Sequence, residues 1–267
     1  MNELITDVKS LELETIKNLK NSKSLNTLRA YQSDFNDFSL FCSKNGFQAM
    51  PTQPKIIALY LTHLSAFSKY STLKRRLASI SILHKTKGHY IDTKHPIIME
   101  NLMGIKRTNG SNQKGKKPLL ISNLKVLIKA IDESKEKDKR KIRDKALLLI
   151  GFSGGFRRSE LVDIEYDDLE FVSEGVKIFV KKSKTDQSGE GMTKAIPYFD
   201  NENFCPVKAL KKWIEIIDFK NSKIFNISDK NVALIIKKYA NQAGLDGHKY
   251  AGHSLRSGFA TSTAESG

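Results

Sequence analysis

The paired glycines at 154 and 155 constrain this chain more than any other feature. Ahead of them an apolar run, 146–152, is long enough for about two turns of buried helix; behind them the sequence restarts with Arg157, Arg158, Ser159, Glu160 and Leu161. Glycine populates positive φ without steric cost, so the pair predicts a helix stop and a sharp turn. The restart puts guanidinium groups into the first turn of the next helix, where the macrodipole favours carboxylates. Local stability does not account for them, whereas an external anion does: the arginine fork matches phosphate oxygens and keeps its charge at physiological pH. Glu160, three residues after Arg157, shares its helix face and is placed to hold that side chain in one rotamer. Taken alone, the motif also reads as a capped helix with two solvated arginines. Two later segments bear on that choice, Ser183-Lys184-Thr185-Asp186-Gln187 and Gly252-His253-Ser254-Leu255-Arg256-Ser257-Gly258.

Charge narrows the partner. A formal excess of +16 repels itself unless a polyanion neutralises it, which makes nucleic acid the default. The excess is shared by 1–105 and 119–267 and is densest in 106–118, where Lys106, Arg107, Lys114, Lys116 and Lys117 stand with no acidic residue. A ribosomal or chromatin-like tail would concentrate it at one end. No run of about 18 apolar residues exists, and residues 1–14 carry acids where a secretory signal needs a basic start. The expectation is a soluble cytoplasmic protein, nucleoid-associated when bound to DNA. Cys42 and Cys205 stand far apart with no Cys-x-x-Cys, so neither a disulfide nor a zinc site is implied, and both read as buried thiols.

The length of 267 residues suits about two domains. Residues 1–105 read as a helical bundle. An amphipathic segment covers 6–19, Ser24 caps a helix over 25–43 stopped by Asn45-Gly46, and Thr52 precedes a third helix. Ser71 or Thr72 opens a fourth, and His95-Pro96 starts a fifth that runs to Met103. Within the fourth, Leu73, Leu77, Ile80 and Leu83 recur at helical spacing, while Lys74, Arg75 and Arg76 lie mostly off that face. The triplet reads either as a solvated surface or as phosphate contacts, with Arg29 and Lys69 weaker candidates of the same kind. Residues 106–118, rich in Gly, Ser, Asn and Lys, read as a linker whose Lys114, Lys116 and Lys117 follow a phosphate backbone or merely keep a tether soluble. From 119 onward Ser122 caps a helix to about Ile131, a charged loop covers 132–141, and the apolar helix runs into the glycine turn. Alternating segments at 169–172, 176–180 and 195–198 predict a small antiparallel sheet. Helices follow at 207–217 after Pro206, at 232–243 after Ser228, and from about His253. The fold class is mainly α: an all-α bundle, 1–105, then a mixed α/β domain, 119–267, mostly helical with a small antiparallel sheet.

A phosphodiester under attack spreads negative charge over its non-bridging oxygens, and a protein helps by aiming fixed positive donors at them. Arg157 and Arg256 suit that role. His253 and Arg256, spaced i and i+3, leave one face of the final helix near its N-terminus, and histidine moves protons near neutral pH. Lys184, in the hairpin turn, is placed to protonate a departing sugar oxygen. No Asp/Glu/His cluster has metal-ligand spacing, so no metal or other cofactor is expected.

Gly155-Phe156-Arg157-Arg158-Ser159-Glu160-Leu161, then Ser183-Lys184-Thr185-Asp186-Gln187, then His253-Ser254-Leu255-Arg256-Ser257-Gly258-Phe259-Ala260-Thr261 resemble the tyrosine recombinase (phage integrase) family. Asn26-Thr27-x-Arg29-Ala30-Tyr31 and Ser71-Thr72-x-x-Arg75-Arg76-Leu77 extend the likeness into the first half, which is similar to the family's helical core-binding domain. The resemblance implies a catalytic set of Arg157, Lys184, His253 and Arg256 with Glu160 in support. Duplex DNA is the implied substrate, with site-specific strand exchange through a 3′-phosphotyrosyl link, no ATP or metal, and a homo-oligomer that is a tetramer on DNA. The family's tyrosine lies a few tens of residues beyond the His-x-x-Arg pair, and here the last of eight tyrosines is Tyr250. The expectation is a recombinase truncated before its nucleophile, weakened in assembly, that binds duplex DNA without nicking it. The rival reading is an architectural DNA-binding protein whose basic faces do all the binding. An RNA-binding protein is disfavoured, since no aromatic stacking platform appears.

Overall fold

The computed structural model describes residues 10, 11, 14, 24–111, 115–181, 190–217 and 223–266. The chain divides into two compact units, Met1–Gln113 and Lys114–Gly267. The helix expected over 6–19 falls almost wholly outside the described residues.

In the first unit α1 (Leu25–Lys44) starts where the Ser24 hydroxyl accepts the Thr27 amide at 3.2 Å, and it ends two residues before Gly46, which sits at φ 70°. α2 (Pro54–Ser65) begins on a proline, whose missing N–H costs nothing at that position. α3 spans Tyr70–Thr86, and α4 (Pro96–Asn109) is capped by His95. Phe38, Tyr60, Leu61, Leu73, Ile80 and Ile98 fill the centre, with the Phe38 and Tyr60 rings edge to face at 5.1 Å. Thr52 precedes α2 as expected, but other ends differ. α3 opens at Tyr70 with no side-chain cap, which leaves Ser71 and Thr72 inside it. α4 continues six residues past Met103, so Lys106 and Arg107 belong to a helix rather than a linker, and Gly110 at φ 72° ends it.

His84 is fully buried in this core, with Nδ1 2.8 Å from the Ile80 carbonyl, which as an acceptor requires the proton on that nitrogen. Burial holds its pKa below the ordinary imidazole value. The unfolded chain therefore binds more protons than the folded one once pH drops below about 6.5, and stability falls with pH there. Urea midpoints for the first unit should decline between about pH 7.5 and about pH 5, and His84→Asn should flatten that decline. An unchanged slope in the variant would assign the acid sensitivity elsewhere.

The second unit contains α5 (Ile121–Glu133), α6 (Asp138–Ser153), α7 (Arg158–Val162), the strands β1 (Leu169–Val172), β2 (Gly175–Val180) and β3 (Met192–Pro197), then α8 (Pro206–Ile214), α9 (Asp229–Gln242) and α10 (His253–Ser266). The sheet is antiparallel in the order β1-β2-β3, with Phe171 opposite Val176 and Ile178 opposite Lys194. Val176, Ile178 and Val180 point inward, as strand alternation requires. α5 opens at Ile121 without a side-chain cap, so Ser122 does not cap it. The charged stretch expected as a loop over 132–141 turns helical at Asp138, eight residues ahead of the apolar run. Asp144 explains the extension: 1% exposed, it accepts both Arg143 Nε and Nη2 and the Tyr239 hydroxyl of α9 at 2.9 Å, which satisfies a carboxylate that burial alone would expel. Cys42 and Cys205 are free buried thiols.

Candidate active site

α6 stops at the glycine pair through three backbone bonds: Gly154 N to Ile150 O (3.0 Å), Gly155 N to Phe152 O (2.9 Å) and Phe156 N to Gly151 O (3.1 Å). Gly155 takes φ 55°, and a Cβ on Gly154 would lie 2.2 Å from the Phe156 ring, so neither position accepts a side chain as it stands. Phe156, 1% exposed, anchors the turn in the core, and the chain emerges at Arg157 in extended conformation immediately before α7. There Glu160 reaches back. Its Oε2 accepts the Arg157 amide at 2.9 Å and its Oε1 the Arg157 Nη1 at 2.6 Å, with the carboxylate side chain only 2% exposed. The buried charge is tolerated because it is paired and hydrogen-bonded, and it fixes the arginine's direction.

α10 packs its first turns against the same glycines. Arg256 Nη1 donates to Gly155 O at 2.9 Å, and the Phe259 ring crosses Phe152 edge-on at 6.4 Å. Arg157 and Arg256 thus flank one turn although they are far apart in sequence. His253, exposed, opens α10 one turn ahead of Arg256 and so leaves the same helix face. The segment before α5 steadies that end of the helix: Leu119 N bonds Ser254 O at 2.9 Å and Lys117 N bonds Lys249 O at 2.8 Å. Arg158 lies across Gly252, where a Cβ would meet its Cδ at 1.7 Å.

Lys184 lies outside the described residues. A lysine that sequence reasoning missed occupies the turn itself. Lys194, on β3, donates to Gly154 O at 2.6 Å, reaches Gly155 O at 3.5 Å, and stands 4.8 Å from the centre of the Phe156 ring. Burial lowers its pKa, Glu160 opposes that, and Arg256 and Arg157 add to the lowering. The available signal was parity: Lys194 lies two residues from buried Ile196, on the inward side of an alternating strand.

The other cations part company. Arg29 and Lys74 are exposed on α1 and α3. Arg75 and Arg76, expected to face a phosphate backbone, are turned onto the bundle: Arg75 pairs with Asp34, which also accepts Ser79 Oγ at 2.7 Å, and Arg76 pairs with Asp37 and donates to the Tyr60 hydroxyl at 2.7 Å. Asp34 is 3% exposed, and a carboxylate so buried draws in the nearest guanidinium. Arg75 keeps 46% of its side chain exposed and Arg76 19%. Lys116 and Lys117 are exposed, with Lys116 Nζ on His248 O at 2.5 Å beside the start of α10. Lys114 lies outside the described residues. Among the described residues no three His, Cys, Asp or Glu side chains are grouped to hold a metal ion, and no helix is long and apolar enough to cross a membrane. Two guanidiniums with a histidine on the same helix face can hold a tetrahedral or trigonal oxyanion and move a proton beside it.

Comparison with known proteins adds to this geometry. Residues 119–267 match the phage integrase family. An integrase/recombinase XerD homologue of Selenomonas ruminantium is 41% identical over 279 residues, covering 99% of this chain and 81% of that protein. A tyrosine recombinase XerC of Staphylococcus aureus is 27% identical, covering 95% of this chain and 85% of its own length. The XerH site-specific recombinase in a post-cleavage complex with a palindromic difH substrate superposes with a TM-score of 0.68 at 19% identity, over 97% of this chain and 75% of that one. A lambda integrase dimer on a COC′ core site gives 0.59 at 18%, over 98% and 91%.

Proposed function

The chain belongs to the phage integrase family, and from that premise we propose that it is a site-specific DNA recombinase whose catalytic pocket is the glycine turn of the second unit. The observation that carries the reading is the Arg256 bond to the carbonyl of Gly155, two residues before Arg157, with Glu160 fixing Arg157 and His253 one turn ahead of Arg256. In this reading the arginines hold the non-bridging oxygens of a scissile phosphate, His253 shuttles a proton, and Lys184 protonates the departing sugar oxygen. The XerH and lambda integrase structures are DNA complexes, and lambda integrase is also seen as a tetramer on a Holliday junction, which supports duplex DNA as substrate and a tetrameric assembly here. Residues 1–105, together with the end of α4, act as the core-binding domain, 110–118 as the connector and 119–267 as the catalytic domain, in the cytoplasm and on the nucleoid. Arg29, Lys74 and Lys117, which are exposed, are the favoured backbone contacts, with Lys116, held on His248 O, beside the start of α10. Arg75 and Arg76 serve first to close α3 on α1.

Tyr250 and Tyr239 are buried, with hydroxyls engaged by Asn123 and Asp144, and burial raises the Tyr239 pKa, so neither phenol is placed for attack. Residues 1–267 are proposed to bind duplex DNA without nicking it. Covalent adducts with the unmodified chain on a denaturing gel would refute that half. Assayed in a chain that carries a tyrosine nucleophile, Arg157→Ala should cut strand cleavage by about 10²–10³ while duplex affinity changes less than about threefold. An architectural protein would show the affinity change alone. Binding should also weaken with salt at a log-log slope of about −0.9 per neutralised phosphate.

A further inference from the structure

We infer that Lys194 is a positioning residue for the phosphate pocket: its ammonium occupies the carbonyl end of the glycine turn so that Arg256 keeps most of its guanidinium for the ligand. The inference rests on the reading of that pocket as a phosphate site. Two carbonyls, those of Gly154 and Gly155, close the C-terminal end of α6, where the helix dipole and unfilled acceptors attract cations. Lys194 Nζ takes Gly154 O at 2.6 Å and approaches Gly155 O at 3.5 Å, while Arg256 takes Gly155 O at 2.9 Å through a single nitrogen. The two acceptors are thus divided between two cations. A half-buried carbonyl that loses its donor costs free energy, and the nearest replacement donor is Arg256. Without Lys194 the guanidinium is drawn down onto the turn, and Gly154-Gly155, the most pliable pair in this segment, shifts under it. Arg157 begins two residues later and moves with it.

The arrangement sits oddly with simple stability, which is why a role in the site follows. An ammonium half-buried within the field of Arg157 and Arg256 is disfavoured by desolvation and by like charge, and Glu160 offsets this only in part. A neutral side chain of similar length would relieve that repulsion. The strand places lysine there all the same, on its inward parity, with the Phe156 ring 4.8 Å from the charge. The ammonium also adds positive potential behind the two arginines, and a bound phosphate gains from it.

The test uses residues 1–267, inorganic phosphate as the probe, and the Nε–H resonances of Arg157 and Arg256 as the reporter. Wild type should bind phosphate with both resonances moving. Lys194→Met should bind about tenfold more weakly, with the free-state Arg256 resonance displaced toward a more strongly hydrogen-bonded position. Lys194→Arg should recover affinity to within about threefold, because a guanidinium can reach the same carbonyl. Equal affinity in wild type and Lys194→Met, with an unmoved Arg256 resonance, overturns the inference. So does equal weakening in both variants together with a lowered melting midpoint, which marks a packing role alone. If wild type binds no phosphate at these arginines, the pocket reading fails and takes this inference with it.

Discussion

A methyl group on Gly258 is expected to lower the melting midpoint of the second unit by roughly 6–12 °C, from a loss of about 3 kcal/mol. A Cβ there would lie 1.9 Å from Leu119 O, 2.7 Å from its carbonyl carbon and 3.0 Å from its nitrogen. All three are backbone atoms of one residue, which Ser254 O already holds through the Leu119 amide at 2.9 Å. No rotamer change relieves the clash, so α10 must move away from Leu119. His253 and Arg256 ride on that helix, and Gly258→Ala should therefore also weaken phosphate binding at the pocket. Gly104→Ala is the matched control. Gly104 lies inside α4 with nothing within 4 Å of an added Cβ, so alanine there should stabilise the first unit by about 0.5–1 kcal/mol. Calorimetry that shows Gly258→Ala as benign as Gly104→Ala would remove the close helix contact from the account of the site.

The contrast between these two glycines shows what the sequence carries and what it withholds. Gly258 sits in a segment that reads as helix and Gly104 one residue past another, and nothing local says what either would touch; only the neighbour across the fold does. The same division runs through the rest of the chain. Apolar periodicity located α1 through α3 and the alternation of 176–180 located β2, because each reports burial on one face and burial is what builds the element, while the His95-Pro96 start located α4. Starts were less legible where no side chain caps the helix. Lys69, Leu120 and Lys137 precede α3, α5 and α6 without a capping bond, so tertiary packing rather than a hydroxyl sets those ends. Asp138 to Lys141 read as loop because their charges hide a helix whose anchor lies further on, at the buried carboxylate of Asp144, and whose partner Tyr239 is 95 residues from it. At the pocket, Arg157, Glu160, His253 and Arg256 were legible because short spacing on one helix fixes each pair. Lys194 was not, since its partner is a backbone carbonyl 40 residues distant, and carbonyls carry no sequence signature.

Glu160 joins the two levels, and its replacement should show the largest combined effect on stability and chemistry. Its carboxylate serves the Arg157 amide with one oxygen and the Arg157 guanidinium with the other, at 2.9 and 2.6 Å, in a site where it is 2% exposed. Removing one partner of a buried, hydrogen-bonded pair costs about 3–5 kcal/mol, because the remaining charge and donor stay desolvated. Glu160→Ala should lower the stability of the second unit by that order. It should also cut strand cleavage by about 10² or more, since an arginine free to choose rotamers no longer meets the transition state in one geometry. Glu160→Gln separates charge from shape. Glutamine fills the same volume but puts an NH2 donor where one of the two accepting oxygens stood, so in the same rotamer either the amide or the guanidinium faces a donor. Intermediate stability with cleavage still strongly reduced is the expected pattern, read from denaturant midpoints and single-turnover cleavage of duplex DNA. Full cleavage in Glu160→Gln would mean that shape alone orients Arg157, and the ion pair would then belong to the stability of α7 rather than to the reaction.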